Sequence, residues 1–153
     1  TGRTSAASTT DVSARTKARK RAIDMLFAAE ARGGGTAGGV IGIVLAEEAA
    51  RAAHDPQRSV SWAYARDIVT GVQDHLPEID DTIRSIAVDW PIERMPQVDR
   101  AILRMGVWEI RFNAEVPDAV AIAEAIELAT TLSTERSASF VNGVLAKVAD
   151  SAS

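Results

Sequence analysis

Five cations crowd positions 14 to 21 in "ARTKARKR", and the chain then turns apolar as "AIDMLF". They are Arg15, Lys17, Arg19, Lys20 and Arg21. On a helix turning about 100° per residue, Arg15 and Arg19 fall together along one edge of the apolar stripe, and Lys17, Lys20 and Arg21 spread over the outward face. Two guanidinium groups a turn apart suit phosphate, because each offers a planar fork of N–H donors matching two phosphate oxygens. The other cations add long-range attraction. Single-stranded RNA also wants an aromatic surface on which bases stack. Phe140 is the candidate, since the helical wheel puts it at the shoulder of the last helix's apolar stripe. The plain alternatives are a solvated basic arm and a core phenylalanine.

The remaining motifs are weaker. "GGGTAGG" contains a formal G-x-G-x-x-G at Gly33, Gly35 and Gly38. A dinucleotide site needs a strand before those glycines, so that the turn delivers a pyrophosphate to a helix N-terminus. Here a basic helix precedes them, and the stretch reads as an interhelical loop. The paired acids Glu47-Glu48 and Asp80-Asp81 are sequence neighbours, which do not face each other on a helix, so neither makes an acid/base couple. His54 and His75 have no ligand partners at helical spacing. No nucleophile elbow surrounds any serine. The chain reads as a non-enzyme with no metal and no cofactor.

Charge sharpens the first clue. Residues 1 to 21 hold six cations and one acid, a net of +5, so the rest must carry −9 to reach the total of −4. Such asymmetry fits one end meeting a polyanion while the acidic body stays soluble or meets a basic partner. A length of 153 residues, 46% of them apolar, suits one compact domain or two small lobes. With no cysteine, disulfides and thiolate metal sites are excluded, and the reducing cytoplasm is the expected compartment. No apolar run approaches the roughly 20 residues that span a bilayer. The opening "TGRTSAASTTDVS" lacks the apolar middle of a signal peptide and reads as a flexible tail over 1–13, and a start at Thr1 fits a trimmed chain.

The elements that must position these residues are helices. Residues 14 to 32 repeat Ala18, Ala22, Met25, Leu26 and Ala29 on one face and stop at "RGGG". Further helices are expected over 40–53, from about Ser59 to His75, and from Pro77. "WPIERMP" is a connection, and "QVDRAILRMGVWEIRF", apolar on most sides, is a central helix. Pro117 opens a sixth, and the last starts near Ser137 with Val141, Val144, Leu145 and Val148 stacked. No alternating run is long enough for a strand, so the fold class is all-α with about seven helices.

The C-terminal half carries a family likeness. Its elements are Val98-Asp99-Arg100-Ala101-Ile102-Leu103-Arg104, Trp108-Glu109, Val116-Pro117, Ala121-Ile122, Glu124 through Ala129, and Phe140-Val141-Asn142-Gly143-Val144-Leu145. Together with "ARTKARKRAIDMLF" they resemble the NusB family of transcription antitermination factors over residues 14 to 149, weakly from 33 to 60, and a NusB-like RNA-binding domain is expected over 14–150. The resemblance implies two small helical bundles packed at an angle and no enzymatic activity. It implies a partner, NusE, the small-subunit ribosomal protein, and binding of the pair to boxA RNA of ribosomal RNA leaders within the elongating RNA polymerase complex. Carried over by motif, RNA contact falls to Arg15, Lys17, Arg19, Lys20, Arg104 and Phe140, and the NusE surface to Phe27 and Asp99.

There are departures. The family usually has asparagine at Ala123 and lysine at Thr130, and Arg136 stands where relatives are often acidic. Two rivals remain. One is the NusB-like domain of certain ribosomal RNA cytosine methyltransferases, which needs a further α/β domain. The other is a homodimeric interaction module without RNA.

Overall fold

Proline and glycine punctuation divides the chain into seven α-helices, in a computed structural model that describes residues 9–34 and 38–152. They are α1 (Thr9–Ala29), α2 (Gly38–Ala53), α3 (Pro56–Asp74), α4 (Leu76–Ile86), α5 (Gln97–Phe112), α6 (Asp118–Leu132) and α7 (Glu135–Ala152). No strand occurs among the described residues, and none of their helices is long and apolar enough to cross a membrane. Helix α1 begins at Thr9 rather than at 14, so residues 9–13 are helical; residues 1–8 of the expected tail lie outside the described residues. After α1 the glycines loosen the coil into a wider π-type turn (Glu30–Gly34), and α2 starts at Gly38. Gly35 of the G-x-G-x-x-G lies outside the described residues.

Two compact units result, Thr1–Asp67 and Ile68–Ser153, divided within α3. In the first, α1 packs on α2. The stripe predicted for α1 is buried at Ala18, Ala22, Met25, Leu26 and Ala29. A nearly buried carboxylate, Glu48, ties α2 to α3: Nη1 of Arg58 donates to both its oxygens at 3.0 and 2.9 Å, and Arg51 adds a bond of 3.2 Å.

In the second unit α5 is central, touching α4, α6 and α7. Its all-round apolar sequence has that cause, since a helix with neighbours on several sides has no solvent face to keep polar. Ile102, Leu103, Met105 and Val107 are fully buried, each contributing about 1.5–3 kcal/mol by leaving water. Gly106 lets α7 come close: a Cβ there would meet Leu145 Cδ1 at 2.6 Å. Pro117 directly precedes α6. At α7, Thr134 Oγ1 accepts the backbone N–H of Ser137 at 3.0 Å, an N-terminal cap.

Candidate nucleic-acid interface

The basic opening of α1 divides its charges between two jobs. Arg15 and Arg19 fall together, as their spacing predicts, and both lie over the ring of Tyr64 on α3, at 4.9 and 5.6 Å from its centre. A guanidinium over an aromatic face is held by the ring's quadrupole. Sequence reasoning missed Tyr64; the available signal was that it is the chain's only tyrosine. Arg19 is only 3% exposed, so its head is committed inside the fold and is not presented to a phosphate. Its burial speaks against the direct RNA contact expected of it. Arg15 is half-buried, while Lys17 and Lys20 are exposed. Lys20 reaches Asp24 at 3.4 Å, a solvated pair one turn apart.

At 3.6 residues per turn, Lys17, Lys20, Asp24 and Phe27 line one outward face of α1, and all four are exposed. Phe27 is 40% exposed, unusual for so large an apolar ring. Expected RNA cations and the expected partner residue therefore occupy opposite ends of a single helix face.

In the second unit, Phe140 is neither free nor core. It is half-buried, and Trp90 packs against it edge to face, with ring centres 4.7 Å apart and planes inclined at 67°. A T-shaped pair fixes a ring's tilt without covering all of its surface. Trp90 sits in the α4–α5 connection, which several bonds hold. Its backbone N–H donates to Ala87 at 3.3 Å. Arg100 Nη1 donates to the carbonyls of Ile92 and Met95 at 3.0 and 2.9 Å. Burial lowers the pKa of that guanidinium, helped by the charge of Arg104. Arg84 on α4 bonds Glu93 at 3.0 Å, which holds the Glu93 carboxyl below its ordinary value and Arg84 above its own. The aromatic signal of Trp90 was present in "WPIERMP", but nothing local pairs it with a residue fifty positions later.

Two carried-over residues take other roles. Arg104 closes a two-pronged bridge on Asp80, Nε to Oδ1 at 2.9 Å and Nη2 to Oδ2 at 3.0 Å, with both side chains 12% exposed. Its fork is spent on holding α5 to α4. Asp99 is fully buried at the start of α5, accepting 2.7 Å from Ser137 Oγ, with Oδ1 unpartnered. With no exposure it anchors α5 to the first turn of α7, which speaks against the surface contact with NusE expected of it. Asp99 also stands in the first turn of its helix, where negative charge is favoured. Arg136, Asn142, Gly143 and Lys147 on α7 are exposed. Among the described residues no group of three or more His, Asp or Glu is placed to hold a metal.

This geometry has close parallels. The family model described as "NusB family" matches residues 16–150. A transcription antitermination protein NusB of Leifsonia xyli subsp. xyli is 59% identical over 138 residues, covering 90% of this chain and 92% of the relative. The structure of NusB of T. maritima is 32% identical with a TM-score of 0.72, covering 89% of this chain and 90% of that one. A structure of antitermination factors NusB and NusE in complex with dsRNA is 26% identical with a TM-score of 0.73, covering 90% and 97%.

Proposed function

The chain belongs to the NusB family, and from that premise we propose that it is a non-catalytic antitermination factor that binds boxA-type RNA of ribosomal RNA leaders together with NusE and joins the elongating RNA polymerase. The observation that carries the reading is the outward face of α1, where Lys17 and Lys20 stand exposed at the mouth of an otherwise acidic chain. Arg15 adds a half-exposed guanidinium beside them. The NusB–NusE–dsRNA neighbour supports RNA and NusE as partners. The RNA here is read as single-stranded, because unpaired bases are the ones most readily splayed out to stack on an aromatic side chain. Phe140 is the residue for that contact. Phe27 supplies an apolar anchor to NusE, and the acidic body suits a basic ribosomal protein. Arg19 and Arg104 serve the site by holding Tyr64 and α4.

The test is fluorescence anisotropy of a labelled boxA RNA titrated with the protein, with and without NusE, at two salt concentrations. Phosphate contacts release counterions, about 0.7 per phosphate on a single strand. Binding should weaken steeply with salt, tighten with NusE and prefer boxA over a scrambled strand. No binding by the folded protein in either case overturns the reading. A stable homodimer by sedimentation would then favour the interaction module.

A further inference from the structure

Tyr64 reaches from α3 to the basic opening of α1 and meets two guanidinium groups with one ring. Arg19 stands 5.6 Å from the ring centre and is almost wholly buried; Arg15 stands 4.9 Å from it and is half-buried. Ser61 and Ala65, which flank the tyrosine on α3, are buried, so the root of the ring is fixed. The ring thus joins the interior at Arg19 to the open edge of the fold at Arg15.

A ring orders a guanidinium differently from a carboxylate. Elsewhere the fold uses carboxylates: Asp80 holds Arg104, Glu48 holds Arg58 and Glu93 holds Arg84. Each of them adds a negative charge that opposes the one it orders. An aromatic face attracts the cation through its quadrupole and adds no net charge. Ordering matters because long basic side chains lose rotamer freedom when they grip a phosphate. A side chain that is already ordered has met that cost before binding. Lys17 and Lys20 stand exposed on the outward face, where each must give up its freedom on contact.

We propose that Tyr64 is a positioning residue for RNA binding. It holds the Arg15 guanidinium ready for one particular phosphate, while Lys17 and Lys20 supply less specific attraction. The proposal rests on the RNA-binding reading of α1 and adds to it a residue of α3 that acts through Arg15.

The experiment uses the full chain with NusE, a labelled boxA RNA and a salt series. Tyr64→Leu and Tyr64→Met both remove the ring, and two such variants guard against one that packs poorly. On the folded fraction, each should weaken boxA binding about two- to fivefold at every salt concentration, the range for a solvent-accessible cation over a ring. The slope of log K against log salt should hold, because Arg15 keeps its charge. Arg15→Ala should instead flatten the slope by about 0.7, and in that background Tyr64→Leu should cost nothing further. Tyr64→Phe keeps the ring and should bind as the wild type does. The ring also marks its neighbour directly. In the proton spectrum the Arg15 side-chain N–H should lie upfield in the wild type and in Tyr64→Phe, and at its ordinary position in the ringless variants.

A tyrosine serving packing alone would lower Tm in these variants without coupling to Arg15. Four results each overturn the proposal and leave the α1 reading standing: an ordinary Arg15 N–H position in the wild type, unchanged affinity in both ringless variants, equal losses from Tyr64→Phe and Tyr64→Leu, or a full loss from Tyr64→Leu in the Arg15→Ala background. Failure of the wild type to bind overturns both.

Discussion

Trp90 and Phe140 meet edge to face, 4.7 Å between ring centres, from a loop and a helix fifty positions apart in sequence. The pair makes Phe140 a ring of fixed tilt. Phe140→Ala should cost about 1–3 kcal/mol of RNA binding, the range for one stacked base. Trp90→Ala should weaken binding in the same direction by freeing the ring, while Phe140→Trp should retain it. Anisotropy on the folded fraction, with Tm measured alongside, reads all three. Lost stability with unchanged affinity would return Phe140 to the core.

Arg104 and Asp80 form a nearly buried ion pair that holds α5 to α4. Removing one member of a nearly buried pair strands the other charge, at a cost of roughly 3–5 kcal/mol. Arg104→Ala should therefore shift the urea midpoint strongly and leave the salt slope of RNA binding unaltered. Arg104→Met combined with Asp80→Leu should recover most of the loss, because no charge is then stranded. A shallower salt slope in the single variant would put Arg104 back among the phosphate contacts.

Ser137 Oγ donates a hydrogen bond to Oδ2 of Asp99, a carboxylate with no exposure. Ser137→Ala leaves that oxygen unsatisfied and should destabilise the protein by about 1–3 kcal/mol. Affinity for NusE, measured by calorimetry on the folded variant, should not change. A selective loss of NusE binding at full stability would argue for Asp99 as a contact after all.

On α1 the contributions separate by exposure. Replacing Arg15, Lys17 and Lys20 by alanine should flatten the salt slope by about 2, three cations at about 0.7 each. Arg19→Ala should instead lower Tm, since its head lies against Tyr64 inside the fold. Equal slope changes from Arg19 and Lys17 single variants would contradict this division.

The acid side of the stability profile has a local contribution at Glu93. Its carboxyl is lowered chiefly by the bond from Arg84, so the stabilisation is present above the ordinary value of 4.5 and is lost as pH falls through the lower folded value. Glu93→Gln should have a slightly lower Tm at neutral pH, and the gap should close as the pH drops below about 4.5. A gap that persists in acid would mean the bond contributes nothing through charge.

The helices were legible in the sequence because helix signals are local. Proline, glycine and a 3.6-residue period act within a turn or two, so α5 runs from Gln97 to Phe112 as its pattern predicts. Two starts differ from the pattern: α3 begins at Pro56 rather than near Ser59, and α1 begins ahead of its basic run. Nothing in "TTDVS" stops a helix, and α1 extends back to Thr9. The pairing of Arg15 with Arg19 was likewise readable, being fixed by helical spacing alone.

What each charged group does with its charge was decided only by tertiary structure. Arg19, Arg104 and Asp99 have the residue types of a binding surface, yet Tyr64, Asp80 and Ser137 claim them from 45, 24 and 38 positions away. A periodic pattern tells which side of a helix is apolar; it carries no information about which distant group will face a cation on the border of that side. Burial and partnership are properties of the packed chain. They divide the basic opening into a committed Arg19 and an outward Lys17 and Lys20, and they leave Arg136 and Lys147 facing solvent on α7.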